Sequence, residues 1–362
     1  MNPAVEAIVD RIRAAHASGS PLCIRGGGTK DFYGEAPSGE LLDVRTLAGA
    51  ADHEPTELVV TAPAGMPLTD LEALLDEHGQ SLAFEPPRYA PGSTVGGMVA
   101  AGLSGPSRAA AGSVRDHVLG VTMVSGAGEL MHFGGRVIKN VAGYDVSRLV
   151  AGSLGILGVI VEVSLKVLPR ADAEATLRFD LAAAPALAQL HAWGAQPLPL
   201  DASAWWNDRL VVRLRGSSAA VEEATRALGG EPVAADAATP FWQRLRDHSD
   251  PFFAAAAAAV DRGDATLWRL SLPQTAAPLG LAGDELIEWH GAQRWLLTSL
   301  PANAVRAAAT RARGHATVFR SRDKPAGVFT ALSQPLARIH ERLKRSFDPK
   351  GILNPGRLYP GL

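Results

Sequence analysis

The sequence predicts an α+β protein. Apolar residues recur with the 3.6-residue period of a helix near both ends of the chain. A two-residue alternation of apolar and polar side chains runs from Val159 to Val167, which is typical of a strand. The length of 362 residues exceeds one average domain, so we expect more than one.

Glycine and tryptophan are distributed unevenly, which indicates where the domains meet. Glycine clusters recur between Gly26 and Gly158, whereas all seven tryptophans lie between Trp193 and Trp295. We therefore predict a first domain at 1–170, a second α+β domain at 171–330, and a C-terminal helix and tail at 331–362.

The first elements follow from local patterns. Asn2 is a helix cap and Pro3 suits a first helical turn, and Gly19 ends this helix. One face of it is apolar, formed by Val5, Ile8, Val9 and Ile12. A short strand over Pro21–Ile24 then leads directly into a glycine triplet.

Further elements alternate along the chain. We predict a strand over Glu57–Thr61, a helix over Pro67–His78, and a hairpin of Val118–Val124 with Glu129–Phe133. The strand from Val159 is predicted to be half-buried. Ser333 is predicted to cap a last helix with one apolar side, formed by Leu336, Ile339, Leu343 and Phe347.

Composition excludes several classes of function. A net charge of −2 argues against a general nucleic-acid binder. The single Cys23 excludes an internal disulfide and a cysteine-ligated iron–sulfur cluster or zinc site, and the histidines lack metal-ligand spacing, so no metal is expected. Charged residues within Met1–His16 argue against a signal peptide, and no apolar run is long enough for a membrane span. We expect a cytoplasmic protein.

The glycine triplet is the first chemical signal. Arg25-Gly26-Gly27-Gly28-Thr29 follows a strand, and glycines allow successive N–H groups to point into one concavity that binds phosphate. A flexible turn is the alternative for this segment alone. The Rossmann fingerprint and the Walker A loop are both absent, so any nucleotide binds through a different loop geometry.

Other segments rich in small residues follow in order. Pro91-Gly92-Ser93-Thr94-Val95-Gly96-Gly97-Met98-Val99-Ala100-Ala101-Gly102 would let a flat or phosphorylated ligand approach the backbone closely, although a tightly packed helix start is the alternative. Gly112-Ser113-Val114-Arg115-Asp116, Lys139-Asn140-Val141-Ala142-Gly143-Tyr144-Asp145 and Gly152-Ser153-Leu154-Gly155-Ile156-Leu157-Gly158 come next. Phe347-Asp348-Pro349-Lys350-Gly351-Ile352-Leu353-Asn354-Pro355-Gly356-Arg357 lies near the end.

Taken in this order, the segments resemble the FAD-binding domain of the vanillyl-alcohol oxidase or PCMH-type flavoprotein family. Within it they are most similar to the FAD-binding E-type subunits of bacterial glycolate oxidases. The resemblance implies a two-subdomain PCMH-type FAD-binding domain plus a smaller α+β cap domain.

The resemblance also implies FAD contacts. The glycine triplet would meet the diphosphate, the second segment the isoalloxazine side, and Asn354 the flavin face. The implied residues are Arg25, Gly26, Gly27, Gly28, Thr29, Lys30, Pro91, Gly92, Ser93, Thr94, Gly96, Gly97, Gly102, Ser104, Arg115, Gly155, Ile160 and Asn354. Because residues 24–34 contain no histidine, where the family attaches flavin covalently, we expect noncovalent FAD.

Oxidation of a small 2-hydroxy acid needs a base for the hydroxyl proton and a cation for the carboxylate. The second domain offers His290, Arg294, His315 and Arg320 as catalytic candidates, with core packing or a salt bridge as the alternative for each. The H-x-G-D-G-N-x-H segment of larger family members is absent.

Three functions remain open. The chain is an FAD-binding subunit of a glycolate (2-hydroxy acid) oxidase or dehydrogenase complex, an accessory assembly subunit with structural or no flavin, or a stand-alone FAD-dependent 2-hydroxy acid dehydrogenase. The first implies a catalytic D-type FAD subunit and an iron–sulfur subunit as partners, and leaves open a peripheral association with the inner membrane.

Overall fold

The computed structural model describes residues 2–136 and 145–362, so the motif that begins at Lys139 lies outside the described residues except for Asp145. Unit 1 comprises Met1–Leu103, Ser113–Pro169 and Ala331–Leu362, and unit 2 comprises Ser104–Gly112 and Arg170–Thr330. The prediction assigned Ser104–Gly112 to the first domain, whereas its contacts place it with unit 2.

Helices and strands alternate in both units. The helices of the described residues are α1 (Pro3–Ser18), α2 (Leu68–Glu77), α3 (Val95–Ala101), α4 (Arg108–Ala111), α5 (Val114–His117), α6 (Val146–Val150), α7 (Ala183–Gly194), α8 (Ser218–Leu228), α9 (Ala235–Arg246), α10 (Pro251–Arg262), α11 (Ala302–Arg311) and α12 (Gln334–Phe347). The strands are β1 (Leu22–Arg25), β2 (Glu40–Asp43), β3 (Asp52–Glu54), β4 (Val59–Pro63), β5 (Gln80–Ser81), β6 (Val118–Val124), β7 (Leu130–Gly134), β8 (Val159–Lys166), β9 (Leu168–Pro169), β10 (Ala173–Asp180), β11 (Leu200–Trp206), β12 (Arg209–Gly216), β13 (Glu231–Val233), β14 (Thr266–Ser271), β15 (Asp284–Glu288), β16 (Gln293–Thr298) and β17 (His315–Arg320). Such a mixture confirms the predicted α+β class.

The first helix forms as the sequence predicts. The Asn2 side chain accepts a hydrogen bond from the Ala4 N–H, and Gly19 closes α1 in the left-handed conformation. Its apolar face is buried against β1, β2 and the C-terminal segment, in a cluster that contains Ile12, Leu22 and Leu353.

Unit 1 is built around a five-stranded antiparallel sheet of order β3-β4-β8-β6-β7 and a parallel pair of β1 with β2. The predicted hairpin forms β6 and β7, whereas β4 begins at Val59 rather than Glu57. The prediction that β8 is half-buried is wrong: Ser164 is buried as well, and Glu162 alone in this strand is fully exposed, because both faces of β8 are covered.

The last helix is less buried than its pattern predicts. Phe347 is buried and Leu343 partly so, but Leu336 and Ile339 are 47% and 52% exposed. Lys344 is buried instead, at 5% exposure. The Ser333 side chain makes no capping hydrogen bond, although Ser333 occupies the cap position.

Unit 2 contains an eight-stranded antiparallel sheet of order β13-β10-β12-β11-β15-β16-β14-β17. Helix α8 packs beside β10 and β12, and α11 packs over the other end of the sheet. A buried ion pair joins Arg213 to Asp201 at 2.6 Å, and the Ser107 hydroxyl bonds to both side chains. Ser107 thereby ties the short segment Ser104–Gly112 to this unit.

Candidate functional site

An open concavity with a cavity volume of about 110 Å³ lies in unit 1. Thirteen of the residues predicted to contact FAD line it. They are Arg25, Gly26, Gly27, Gly28, Thr29, Lys30, Ser93, Thr94, Gly96, Gly97, Gly155, Ile160 and Asn354.

The glycine triplet forms one wall of this concavity directly after β1. Within the described residues, the four backbone N–H groups from Gly26 to Thr29 donate to no protein acceptor. Gly28 has φ +70°, a conformation that glycine adopts without a steric penalty. Buried or half-buried N–H groups need an acceptor, so this wall is suited to phosphate oxygens.

Two of the glycines are required by close packing. A Cβ on Gly26 would lie 2.5 Å from the Thr94 Oγ1 atom, and a Cβ on Gly27 would lie 2.5 Å from the Gly92 carbonyl carbon. The two loops therefore touch backbone to backbone. Gly92 does not line the concavity; its backbone packs against Gly27, which does.

The second loop begins helix α3. Thr94 is the cap residue, and its hydroxyl accepts a hydrogen bond from the Gly97 N–H at 3.2 Å. The Ser93 hydroxyl lies 3.0 Å from the Thr29 hydroxyl and accepts from the Lys30 ammonium at 2.8 Å. Hydroxyl and ammonium groups thus meet at the glycine wall.

Positive charge surrounds the concavity. Arg25, Lys30 and Arg357 line it together with the single carboxylate Asp31, which pairs with Arg25 at 2.7 Å. Burial lowers the pKa of Arg357, and the Asp31 charge opposes that shift. A net positive lining favours an anionic ligand.

The C-terminal segment supplies Asn354, which is 7% exposed and connects two loops of the site. Its side-chain oxygen accepts from the Ile24 N–H at 2.6 Å, and its amide nitrogen donates to the Leu154 carbonyl at 2.7 Å. Both ends of the amide therefore serve protein groups, where the resemblance implied a contact with the flavin face.

Four other predicted contacts lie outside the lining. Pro91 is exposed, Arg115 is exposed on the short helix α5, and Ser104 belongs to unit 2. Gly102 closes α3 in the left-handed conformation, where a Cβ would lie 2.7 Å from the Gly152 Cα.

Nine lining residues were missed by the sequence analysis. Most are apolar or small and carry no chemical signal of their own. Five of them lie inside the quoted segments without being predicted as contacts: Ala100, Ala101, Leu154, Gly158 and Arg357. The nine are Ile24, Asp31, Val44, Ala64, Ala100, Ala101, Leu154, Gly158 and Arg357.

Two of the predicted catalytic residues lie within unit 2, where Arg294 is buried and His290 is half-buried. Arg294 has no exposed surface, donates to the carbonyls of Gly291 and Ala276 at 3.0 and 2.7 Å, and lies 3.7 Å from Glu285. His290 is held by Ser203, whose hydroxyl accepts from its backbone N–H and lies 3.0 Å from its Nδ1. Burial lowers the pKa of His290 to about 4, so its ring is neutral at pH 7.

The other two lie on β17. His315 is exposed at the start of that strand and Arg320 is at its end, about 17 Å away at 3.4 Å per residue. The register places His315 beside Ser271 and, one strand further, Gln293, so His315 shares its end of the sheet with Arg294. Burial is also the main cause that lowers the pKa of His315. Arg320 therefore lies at the opposite end of the sheet from His290, Arg294 and His315.

Across 2–136 and 145–362, no group of three or more His, Cys, Asp or Glu side chains could hold a metal ion. Over the same part of the chain, no helix combines the length and apolar character needed to cross a membrane.

The unpaired N–H groups, the small residues and the basic lining fit a diphosphate joined to a flat ring, and they define the chain as an FAD-binding protein. Residues 4–134 match the family model described as FAD binding domain. The fold is that of PCMH-type enzymes.

The whole chain also has a close relative. It is 44% identical over 357 residues to glycolate oxidase subunit GlcE of Escherichia coli, which covers 99% of this chain and 98% of that protein. The chain therefore belongs to the GlcE family of glycolate oxidase subunits.

More distant proteins share part of the chain or only the fold. Glycolate oxidase subunit GlcD of Bacillus subtilis is 31% identical over 160 residues, 43% of this chain and 34% of that protein, so the match spans about a third of its length. Among solved structures, an alkyldihydroxyacetonephosphate synthase has a TM-score of 0.66 at 16% identity, covering 97% of this chain and 75% of that one.

Proposed function

We propose that this chain is the FAD-binding subunit of a glycolate (2-hydroxy acid) oxidase or dehydrogenase complex and takes part in the oxidation of glycolate to glyoxylate. The observation that carries the proposal is the wall of four unpaired N–H groups beside a basic lining. Membership of the GlcE family supports the substrate class, because the Escherichia coli relative is a glycolate oxidase subunit.

Bound FAD would accept the two electrons that leave the substrate when its hydroxyl carbon becomes a carbonyl. The glycine loop would hold the diphosphate, with Lys30 and Arg25 balancing its charge. Gly96 and Gly97 would allow the flat ring to approach the backbone. No histidine lines the concavity as described, which supports noncovalent binding.

The proposed substrate contacts lie in unit 2. His290, Arg294 and His315 share one end of the unit 2 sheet and are the proposed contacts of a small 2-hydroxy acid. The Arg294 guanidinium is already engaged by Gly291, Ala276 and Glu285, which favours an orienting role over direct carboxylate binding. This arrangement favours a subunit that works within a complex over a stand-alone dehydrogenase.

We propose a D-type FAD subunit and an iron–sulfur subunit as partners, in a cytoplasmic complex that associates peripherally with the inner membrane. The names of the GlcE and GlcD relatives support a multi-subunit enzyme. The single Cys23 cannot ligate an iron–sulfur cluster, so onward electron transfer through such a cluster requires another chain.

The visible absorption spectrum of the purified full-length chain tests the proposal. We expect flavin bands at a stoichiometric level, and bleaching by glycolate only after the partner subunits are added. A colourless chain that takes up no added FAD would overturn the proposal and favour an accessory assembly subunit. Bleaching by glycolate without partners would instead establish a stand-alone dehydrogenase.

A further inference from the structure

The C-terminal segment enters unit 1 beside the glycine loop. Ile352 accepts a backbone hydrogen bond from Leu22 at 2.7 Å, and Asn354 donates its N–H to Leu22 at 2.9 Å. Residues 352–354 therefore run parallel to β1, on the side opposite β2. This pairing sets Asn354 beside Ile24, the residue before Arg25.

A buried ion pair between Lys344 of the last helix and Asp348 at its end holds residues 352–354 in place. The Lys344 ammonium donates to Asp348 at 2.7 Å, to the Leu353 carbonyl at 2.7 Å and to the Ile156 carbonyl at 2.9 Å. Lys344 is 5% exposed and Asp348 1% exposed. All three ammonium protons are thus used inside the protein, and they join α12 to two other segments.

The Asp348 carboxylate completes the arrangement. One oxygen accepts from the Ile352 N–H at 3.1 Å and the other from the Leu353 N–H at 2.7 Å. Asp348 therefore binds the N–H groups of Ile352 and Leu353, and Lys344 binds the Leu353 carbonyl, so the backbone directly before Asn354 is held on both its donor and its acceptor side. A one-residue slip of this segment would break every one of these bonds.

The segments held in this way are walls of the FAD site. Lys344 binds the carbonyl of Ile156, and Asn354 binds that of Leu154, which is followed by the lining residue Gly155. Gly155 has φ +77°, and a Cβ there would lie 2.7 Å from the Asn354 amide nitrogen. On its other side Asn354 binds Ile24, so one amide spans both walls.

We propose that Lys344 and Asp348 are positioning residues of the FAD site: they fix residues 352–354 so that Asn354 holds the glycine loop and the Leu154–Gly155 turn at the spacing that FAD requires. The inference rests on the proposed FAD-binding function. Neither side chain lines the concavity, so both act through Asn354.

The test compares four variants of the full-length chain: Lys344→Met, the charge-free pair Lys344→Met with Asp348→Asn, Asn354→Leu, and the control Arg345→Met. Arg345 is the next residue on α12 and is exposed. The FAD dissociation constant is measured by flavin fluorescence, together with the absorption spectrum of bound flavin and the thermal midpoint without FAD.

We expect Lys344→Met and Asn354→Leu to raise the FAD dissociation constant about tenfold or more, the equivalent of one lost charge-assisted hydrogen bond, and to shift the flavin absorption bands. Arg345→Met should stay within about twofold of the parent. The charge-free pair should recover thermal stability, because no buried charge is left alone, but not FAD affinity.

Three results would overturn the inference. The first is a folded Lys344→Met variant that binds FAD like the parent. The second is a charge-free pair that recovers stability and FAD affinity together, since that would make the ion pair a contribution to stability alone. The third is failure of both Lys344 variants to fold. If the parent chain itself binds no FAD, the proposed function fails instead.

Discussion

Substitution of Gly27 by alanine tests the phosphate-binding wall most directly. The added Cβ would lie 2.5 Å from the Gly92 carbonyl carbon and 3.3 Å from the Ser93 nitrogen. Carbon atoms pack at 3.5–4.0 Å, so the glycine loop or the second loop must move by about 1 Å. The substitution therefore acts on the contact between the two loops rather than on the ligand itself.

That displacement determines the expected magnitude. Charge-assisted N–H···O bonds are about 2.7–2.9 Å long, and a shift of about 1 Å removes them. Loss of two of the four available N–H groups at about 1.5–3 kcal/mol each weakens FAD binding by about 3–6 kcal/mol. The dissociation constant should therefore rise by roughly two to four orders of magnitude.

Calorimetric titration of the apoprotein with FAD measures this change, and circular dichroism shows whether the fold is retained. Gly49→Ala is the matched control, because Gly49 lies in the same unit, is exposed, and places a Cβ at an ordinary 3.5 Å from Pro63. An alanine variant at Gly27 that binds FAD within threefold of the Gly49 control would refute the assignment of the loop.

Three other predictions concern unit 2. Arg213→Met removes the nearest cation of the buried Asp201 and leaves Arg215 at 3.6 Å and the Ser107 hydroxyl as its partners, so it should lower the free energy of unfolding by about 1.5–3 kcal/mol in calorimetry; a loss under about 0.5 kcal/mol would contradict the buried pair. Burial raises the pKa of Asp250 to about 6, so Asp250→Asn should stabilise the protein by up to about 3 kcal/mol at pH 8 in urea unfolding. The gain should shrink as the pH falls from about 6 and disappear below about pH 3, where the aspartate is neutral in both states. Burial lowers the pKa of His290 to about 4, so the free energy of unfolding falls as the pH drops from about 6.5 to 4, where the unfolded chain takes up a proton that the folded chain does not. His290→Gln should therefore make the free energy of unfolding less dependent on pH between about 6.5 and 4. An unchanged pH dependence in this range would contradict the burial effect.

Local elements of the fold were predictable because their signals lie within a few residues. The cap at Asn2, the period of α1 and the hairpin of β6 with β7 all formed where the sequence indicates. The glycine triplet was recognised for the same reason. Its chemistry follows from the absence of side chains in one short stretch.

Contacts over long separations were not predictable. Helical periodicity shows that Leu336 and Ile339 share a face, but it does not show how far the surface beneath that face extends. Residue type alone likewise made Arg294 a candidate for binding substrate, whereas the structure buries it completely. The bond between Asn354 and Ile24 spans 330 positions, and no local pattern encodes it.

The division of unit 1 into three stretches of chain affects how the protein is made. A ribosome releases β1 early, but the residues that flank it on one side, 352–354, follow only after all of unit 2. Unit 2 has all its residues once Thr330 has emerged, so it can fold while unit 1 still lacks a strand partner. We therefore expect the complete coenzyme site to form only after Asn354 has been synthesised, because a chain that ends before it lacks the side chain that joins the glycine loop to the Leu154–Gly155 turn.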